Sequence, residues 1–252
     1  MLIRMKGFDD TSYGSAFADI YDDWYQGISD VSATIDRLYE LAGSGPVLEL
    51  GVGTGRLAIP LAYDARAGRR RVVGIDSSES MLSKLRERDT EGRIEAVVGD
   101  MATQLPDGPF ALVFVAYNTI FNLRTAESQA ACFDAVADRL EADGRFVIEA
   151  FVPEDPPRDG DDIAVRTLEA DRVVLSISRH DPDLQLVEGQ FIELTERGGV
   201  QLRPWAIRYA APGELDEMAA AAGMNLEHRW EDFGRTAFRP DSARHVSVYR
   251  RT

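Results

Sequence analysis

Residues 46–56 read PVLELGVGTGR and say more about the architecture than any other part of the chain. A short apolar run ends in a carboxylate at Glu49, three glycines alternate, and a helical pattern begins around Arg56. A strand that turns into a helix through such a loop brings bare backbone close to a ligand. A dinucleotide fingerprint would place its third glycine where Arg56 stands. The stretch therefore predicts a nucleotide-like ligand without a pyrophosphate, and Glu49 would attract hydroxyls or a cation.

The composition is acidic. The chain has 252 residues, and its 28 basic and 43 acidic side chains give a formal charge of −15. Such a surface disfavours non-specific binding to nucleic acid or anionic membranes. The sole cysteine, Cys132, cannot form an intrachain disulfide, which fits a reducing compartment. Because no apolar stretch approaches the ~20 residues of a membrane span and no signal-peptide pattern is seen, we expect a cytoplasmic protein with no membrane or nucleic-acid partner.

Short apolar strands and helical patterns alternate between residues 46 and 151. This alternation predicts an α/β fold, in which a mostly parallel sheet is covered by helices on both faces. The predicted strands are Val47–Leu50, Arg71–Ile75, Ile94–Val98, Ala111–Ala116 and Gly144–Phe151, and the predicted helices are Gly55–Arg66, Glu79–Arg88 and Ala126–Leu140.

The flanks of this core, which we take as residues 46–154, predict further elements. Residues 1–45 read as a helical entry segment or lid, with two helices between residues 9 and 43. An acidic, proline-rich break at Pro153–Asp162 leads into an antiparallel β insertion over residues 155–210, and residues 211–252 return to complete the core sheet. The predicted elements here are strands Val173–Ser178, Leu186–Thr195 and Val200–Tyr209, helix Pro212–Ala222, and strands Asn225–Trp230 and His245–Arg250.

Carboxylates stand at the ends of the second and third predicted strands, where ligands bind in open α/β sheets. Asp76 lies 21 residues after Gly55, a spacing at which an acidic residue binds two ribose hydroxyls; alternatively it caps the following helix, a role that Ser77 or Ser78 could fill. Asp100 and Met101 would suit an adenine, with the carboxylate on the exocyclic amine and the thioether on the ring. The polar and aromatic run at 116–122 either faces the reacting centre or is a packed loop.

These motifs together resemble the class I S-adenosylmethionine (SAM)-dependent methyltransferases. The similarity covers roughly residues 45–150 and rests on VLELGVGTGRLA, VVGIDSSESML and VVGDM, which begin at residues 47, 72 and 97. It implies a Rossmann-like sheet of seven strands with the last strand antiparallel, SAM as cofactor and S-adenosyl-L-homocysteine as product. The cofactor-binding residues expected from it are Tyr21, Glu49, Gly51, Gly53, Gly55, Asp76, Ser77, Met81, Asp100, Met101 and Ala116.

Electrostatics agrees with this resemblance. SAM is a sulfonium cation without phosphate, so a carboxylate at Glu49 favours it and would repel a pyrophosphate. The alternative of an NAD-dependent oxidoreductase is disfavoured by Glu49 and Arg56 together. A SAM-binding regulatory protein without turnover is a further alternative. The glycine loop and the polar strand ends are intact, which disfavours a protein that has lost its activity.

The flanks resemble sugar N-methyltransferases, which act on thymidine diphosphate (TDP)-linked amino sugars in antibiotic biosynthesis. The similarity rests on YGSAFADIYDDWYQG from Tyr13 and on FVPE before the insertion. It implies N-methylation by direct displacement, with Tyr13 and Asn122 near the amine. Some relatives carry histidine at the place of Asn122, so the resemblance implies that its amide would position the amine rather than deprotonate it. Glu149, at the end of the fifth strand, would assist proton removal or be a structural partner.

The remaining predictions concern the substrate, which this interpretation expects to be a small, nucleotide-linked molecule. The alternative acceptor is an amine, hydroxyl or carbon of another small molecule. Because no cluster has metal-ligand spacing, we expect an enzyme without a metal. We expect it to be a monomer or a homodimer. The candidate arginines for a diphosphate are Arg166, Arg172, Arg179, Arg208, Arg235, Arg239 and Arg244, with Arg235 and Arg239 as first choices. The expected substrate-binding residues are Tyr13, Tyr25, Tyr117, Asn118, Asn122, Trp205, Arg208, Arg235 and Arg239.

Overall fold

The structure of the protein is a computed structural model, which describes residues 5–8, 17, 20, 24, 30–68 and 70–252. The first of the two predicted N-terminal helices therefore falls largely outside the described residues. The second is present as a helix that begins after an Asp30 cap, where the Asp30 side chain accepts the Ala33 N–H.

Helices and strands alternate through the first half of the chain, and strands dominate the second half. A short 3₁₀ helix, Thr119–Asn122, follows β4. In chain order the other elements are α1 (Val31–Ala42), β1 (Val47–Leu50), α2 (Ala58–Tyr63), β2 (Val72–Asp76), α3 (Glu79–Arg88), β3 (Ile94–Val98), β4 (Phe110–Val115), α4 (Ala126–Arg139), β5 (Leu140–Phe151), β6 (Gly160–Leu168), β7 (Arg172–Asp181), β8 (Leu186–Thr195), β9 (Gly199–Arg208), α5 (Pro212–Ala221), β10 (Met224–Trp230) and β11 (Arg244–Arg251).

The main sheet has seven strands in the order β10-β11-β5-β4-β1-β2-β3. Strand β1 lies between β4 and β2 and is parallel to both, whereas β11 runs antiparallel to both β5 and β10. The topology reverses on the two sides of β1, which places a crevice at the carboxyl ends of the strands. This arrangement confirms the predicted mostly parallel sheet with an antiparallel last strand.

Both faces of the sheet are buried. Leu48 and Leu50 of β1 belong to one hydrophobic cluster, and Val47 belongs to a second cluster on the opposite face. All four residues of β1 are buried, as expected for a central parallel strand without an exposed face. The rigid centre of the sheet therefore fixes the loops that follow β1, β2, β3 and β4. No helix in the described part of the chain is both long and apolar enough to span a membrane.

Strands β6 to β9 form a separate four-stranded antiparallel sheet between β5 and α5. The predicted break at Pro153–Asp162 was too long, because β6 already begins at Gly160. Every residue of β6 is exposed or half-buried, so this strand forms by pairing with β7 rather than by burying an apolar face. A strand that begins with acidic residues and lies at a sheet edge has no continuous apolar run, so its sequence does not predict it.

Two other elements begin three or four residues away from their predicted first residue. Helix α2 begins at Ala58 rather than Gly55, because Gly55 has a φ of +84° and belongs to the turn. Strand β5 begins at Leu140 rather than Gly144, directly after α4, and its pairing with β4 shifts register near its start.

Candidate functional site

A cleft of about 300 Å³ lies at the carboxyl ends of β1, β2, β3 and β4. Its volume is at the lower end of the range for small-molecule sites. The cleft brings together side chains and backbone that the sequence had predicted at separate strand ends. These predicted residues are Gly51, Gly53, Asp76, Ser77, Met81, Asp100, Met101 and Asn122.

The glycine loop is built from left-handed backbone, with φ of +65° at Gly51 and +56° at Gly53. A Cβ at Gly51 would lie 2.3 Å from Cγ2 of Thr119, so the loop packs tightly against the segment after β4. Gly55 has another role: its Cβ would lie 2.9 Å from the Ile59 side chain, and it does not line the cleft. Gly51 and Gly53 thus give the ligand access to backbone, while Gly55 lets the loop pack on its own helix.

Asp76 fixes the loop and faces the cleft. Its Oδ2 accepts the Gly53 N–H at 2.9 Å and its Oδ1 accepts the Ser78 N–H at 2.8 Å. Burial raises the pKa of Asp76, and these two hydrogen bonds oppose the shift. The cap of α3 is supplied by Ser78, whose hydroxyl accepts the Met81 N–H. Asp76 is therefore not needed as the cap, and its remaining lone pairs are available to ligand hydroxyls.

Asp100, after the end of β3, is also held by backbone N–H groups while it lines the cleft. Its Oδ1 accepts the N–H groups of Ala102 and Thr103 at 2.7 and 3.0 Å, which orients the carboxylate in the turn. Met101 and Met81 line the same cleft and offer thioethers to a flat ring. Met81 also packs against the fully buried Phe17, so Phe17 lies on this side of the cleft.

Glu49 lies beneath the loop and is only 5% exposed. Its Oε2 has no hydrogen-bond partner among the described residues, although Arg56 lies near enough to interact electrostatically. Burial raises the pKa of Glu49 to about 8, while Arg56 and the Ala58 N–H lower it and Asp76 raises it further. Burial opposes ionisation of this carboxyl group despite Arg56, so a positively charged ligand in the loop above it would favour the ionised form.

The backbone after β4 makes a strained turn, in which Tyr117 and Asn118 both have positive φ, +49° and +66°. Glu149 holds this turn: its Oε2 accepts the Tyr117 N–H at 3.0 Å and its carbonyl accepts the Asn118 N–H at 3.0 Å. Asn118 Oδ1 in turn accepts the Phe151 N–H at 2.7 Å. These contacts support the structural reading of Glu149, which does not line the cleft.

The 3₁₀ helix completes this edge of the cleft. It buries Ile120 and Phe121 in the core and leaves Thr119 and Asn122 on the cleft side. Asn122 therefore lines the cleft, and its position next to an amine substrate stays a prediction. The positions of Tyr117, Asn118 and Glu149 show how the turn that carries Asn122 is anchored to β5.

Several predicted site residues lie elsewhere. Tyr13, Tyr21 and Tyr25 are outside the described residues. Buried Ala116 does not line the cleft, and Trp205 stacks on Phe191 with ring centroids 5.8 Å apart. Three predicted arginines are also absent from the lining: Arg208 pairs with Glu214, Arg235 pairs with Glu40, and Arg239 is exposed on the loop after β10. Their assignment to substrate binding gains no support from these positions.

The far wall of the cleft was not predicted. It is formed by Leu186, Glu188 and Ala206 of β8 and β9, which we call the acceptor wall, and it is joined by Phe8, Leu123, Arg124, Thr125 and Ser128. Thr125 and Ser128 form a capping box at the start of α4, a pattern that the sequence displays. No sequence pattern marks Glu188 as a cleft residue, because a carboxylate in an alternating strand predicts a side chain on the solvent-exposed face.

The comparisons with known proteins agree with this geometry. A family model described as a methyltransferase domain matches residues 47–144. The structure of the CcbJ methyltransferase from Streptomyces caelestis is 39% identical, covers 97% of this chain and 100% of its own, and superposes with a TM-score of 0.90. No curated protein matches the chain.

Two more distant structures share the fold. The amino pentose methyltransferase CalS10 from Micromonospora echinaspora, solved with SAM bound, is 20% identical, covers 99% of this chain and 100% of its own, and has a TM-score of 0.67. The sugar N-methyltransferase KedS8 from a Streptoalloteichus species is 21% identical, with the same coverage and a TM-score of 0.68.

The residues of the cleft fit SAM. Carboxylates at Asp76 and Asp100 suit ribose hydroxyls and an exocyclic amine, and the unpartnered Oε2 of buried Glu49 suits a cationic ligand. SAM is accordingly the cofactor. From its similarity to CcbJ over nearly its whole length, the chain belongs to the class I SAM-dependent methyltransferases.

Proposed function

We propose that the protein methylates the amino group of a nucleotide-linked amino sugar in secondary-metabolite biosynthesis. The observation that carries this proposal is Glu188, a carboxylate on the acceptor wall of the cleft. The other carboxylates that line the cleft in the described part of the chain, Asp76 and Asp100, have positions that suit the cofactor. A cationic ammonium group is the natural complement of a third carboxylate there. The neighbours that act on sugars, CalS10 and KedS8, support the same acceptor class.

Glu188 takes over the role that the sequence had suggested for Glu149. Both of its carboxylate oxygens lie 3.1 Å from the backbone N of Met5, which holds the side chain in place on this wall. When bound, SAM would supply an electrophilic methyl group, to which a neutral amine would form a nitrogen–carbon bond as the carbon–sulfur bond breaks and S-adenosyl-L-homocysteine leaves. Glu188 would hold the acceptor as an ammonium and receive its proton, and Asn122 would orient the amine. Tyr13, outside the described residues, stays a prediction as a second amine-positioning group.

The nucleotide link depends on a different part of the cleft. Arg124 is the guanidinium that lines it among the described residues, and the first turn of α4 adjoins it at Thr125. A diphosphate would bind there, since an arginine and a helix N-terminus both favour phosphate oxygens. The seven arginines singled out from the sequence do not line the described cleft.

We expect purified protein with SAM to methylate a TDP-linked amino sugar, read as a mass gain of one or two methyl groups. The screen should include the same amino sugar without its nucleotide, hydroxylated sugars that lack nitrogen, and aromatic amines. Methylation of the free amino sugar alone would contradict the nucleotide link. It would still support an amino sugar as the acceptor. Methylation confined to a hydroxylated sugar or an aromatic amine would contradict the acceptor class itself.

Glu188→Gln should lower kcat/KM for an amine acceptor by roughly 10- to 150-fold, the range that corresponds to losing about 1.5–3 kcal/mol of a charged hydrogen bond. The substitution keeps the side-chain shape and an acceptor for the Met5 N–H, so the SAM Kd should not change. The matched control is Glu196→Gln, which neutralises an exposed carboxylate in the turn after β8. Equal kcat/KM in Glu188→Gln and wild type would show that Glu188 does not bind the acceptor.

A further inference from the structure

Arg208, at the end of β9, is a nearly buried arginine that bonds to residues of three different segments. Its side chain is 9% exposed. One terminal nitrogen, Nη1, donates to Gln129 Oε1 of α4 at 2.5 Å. The other, Nη2, donates to Gln185 Oε1 just before β8 and to Glu214 Oε1 of α5 at 3.1 Å. A single guanidinium thus joins the end of β9 to α4, to α5 and to the turn before β8.

Gln129 bonds to Arg208 through both ends of its side-chain amide. The residue is fully buried, and its Nε2 donates to the Arg208 carbonyl at 2.8 Å while its Oε1 accepts from the guanidinium. Because a guanidinium is a donor and a carbonyl is an acceptor, this orientation of the amide is the one that satisfies both groups. Breaking either bond leaves a buried polar group without its partner, which is costly. Directional bonds therefore hold α4 and β9 in one relative position.

The same network organises the turn before β8. Gln185 has a φ of +55°, a left-handed conformation that is uncommon for a residue other than glycine. Its Nε2 donates to Glu214 Oε2 at 2.6 Å, and its carbonyl accepts the Tyr209 N–H at 3.0 Å. Glu214 Oε2 also accepts the Ala211 N–H at the start of α5 at 2.9 Å. These bonds fix the turn from which β8 enters the cleft wall.

The network lies next to residues that line the acceptor half of the cleft. Gln129 directly follows Ser128 of the cleft lining in the first turn of α4. Arg208 is paired with Leu186 of the acceptor wall across β8 and β9. It also stands two residues after Ala206, so the two side chains point to the same face of β9. The acceptor wall and the start of α4 therefore meet through Arg208.

Apolar packing attaches the four-stranded sheet to the core but does not select one position. Val187 is part of the main hydrophobic cluster, and Trp205 and Ile207 pack against it. Hydrophobic contacts are non-directional, whereas a fully bonded buried polar network specifies a single arrangement. The Arg208 network is therefore suited to fix where the acceptor wall stands relative to α4.

We propose that Arg208 is a positioning residue, which acts through Gln129 and Gln185 to hold the acceptor wall in the place that binds the acceptor. Arg208 does not line the described cleft, so it acts through the backbone of β8 and β9. This inference rests on the proposed role of the acceptor wall, and it holds with or without a nucleotide on the acceptor. Asp76 and Asp100 lie in loops of the seven-stranded sheet, so SAM binding should not depend on Arg208.

The first test is Arg208→Lys, measured with the acceptor that the product screen identifies and well below the Tm of each variant. Lysine keeps the charge, but its single nitrogen cannot reproduce the planar fork that bonds to three partners. The acceptor KM should rise roughly tenfold, with a smaller change in kcat and a SAM Kd within about twofold of wild type. Gln129→Met removes the amide at similar volume and should have the same effect. It carries the test if Arg208→Lys does not fold.

The matched control is Arg229→Lys. Arg229 is also mostly buried, with 14% of its side chain exposed, and it pairs with Asp216 at 2.5 Å. It lies on β10 and does not line the described cleft. Arg229→Lys should therefore lower the free energy of unfolding without changing the acceptor KM.

The second test is amide hydrogen exchange, which needs no acceptor. Arg208→Lys should speed exchange at residues 185–188 and 206–209 and leave β1 and β2 unchanged, whereas Arg229→Lys should leave residues 185–188 and 206–209 unchanged. Unchanged exchange at these residues in Arg208→Lys would overturn the positioning role.

Faster exchange with an acceptor KM that rises no more than in Arg229→Lys would also overturn it, because the network would then stabilise the fold without positioning the acceptor. Failure of the amino-sugar proposal would appear in the product screen and would leave the exchange comparison intact.

Discussion

Asp76→Ala should weaken SAM binding by about 1.5–3 kcal/mol, which is roughly 10- to 150-fold in Kd, measured by calorimetry. The first reason is the loss of a carboxylate that faces the cleft and can accept ribose hydroxyls. The second reason is that Asp76 accepts the N–H groups of Gly53 and Ser78, so its removal also loosens the loop that approaches the cofactor. We therefore expect a lower free energy of unfolding together with the weaker binding.

Two further variants separate these effects. Asp76→Asn keeps the side-chain volume and one oxygen, so it should retain more of the fold while it still weakens SAM binding. Asp134→Ala removes an exposed carboxylate from α4 and should change neither quantity. Unchanged SAM affinity in Asp76→Ala would exclude a role for Asp76 in binding the cofactor.

Glu49 should make the free protein less stable as the pH rises. Its pKa is about 8 in the fold and 4.5 as the ordinary value, so between these limits the folded chain holds a proton that the unfolded chain has lost. The stabilising contribution is fully present below pH 4.5 and is lost as the pH rises through 8. The slope is up to about 1.4 kcal/mol of unfolding free energy per pH unit.

Glu49→Gln is neutral at every pH and removes this slope. The measurement is the difference in unfolding free energy between Glu49→Gln and wild type, which should increase from pH 5 toward pH 8. Taking the difference cancels other groups, such as His245, whose pKa burial lowers to about 4 and which therefore acts in the opposite direction. A difference that is independent of pH would mean that Glu49 is ionised throughout, paired with Arg56.

A bound cation should reduce the effect of pH on Glu49. A positive charge near the buried carboxylate lowers its pKa, so SAM should stabilise wild type more at pH 8 than at pH 6. The same comparison in Glu49→Gln should show little dependence on pH. This control distinguishes a charge interaction with the cofactor from a general effect of pH on the cleft.

The cofactor half of the cleft was predictable because its signals are local. Strand β1 is short and wholly apolar except for Glu49, and it is followed by Gly51, whose left-handed backbone favours glycine. Asp76 and Asp100 each stand at a strand end, which the topology of a parallel sheet brings to the same edge. The sequence therefore identified the fold and most of the residues that line this half of the cleft.

The acceptor half was not predictable because it depends on contacts between distant segments. Glu188 and Arg124 lie more than sixty residues apart, and no local pattern marks them as walls of one cleft. Arg235 was chosen because its loop was expected to fold back over the strand ends, but the structure pairs it with Glu40 of α1. Glu149 illustrates the same limit, since its bond to the backbone of Tyr117 depends on the left-handed turn after β4.

The origin of the two cleft walls has an evolutionary consequence. The residues suited to the cofactor come from loops of the seven-stranded sheet, whereas the acceptor wall comes from a sheet whose strands pair only with one another. If these three residues bind the acceptor as proposed, substitutions at Leu186, Glu188 and Ala206 change which molecule is methylated and leave SAM binding intact. A lineage of such enzymes would diversify its products by replacing one module, and grafting strands β8 and β9 between relatives would be the direct way to reproduce that history.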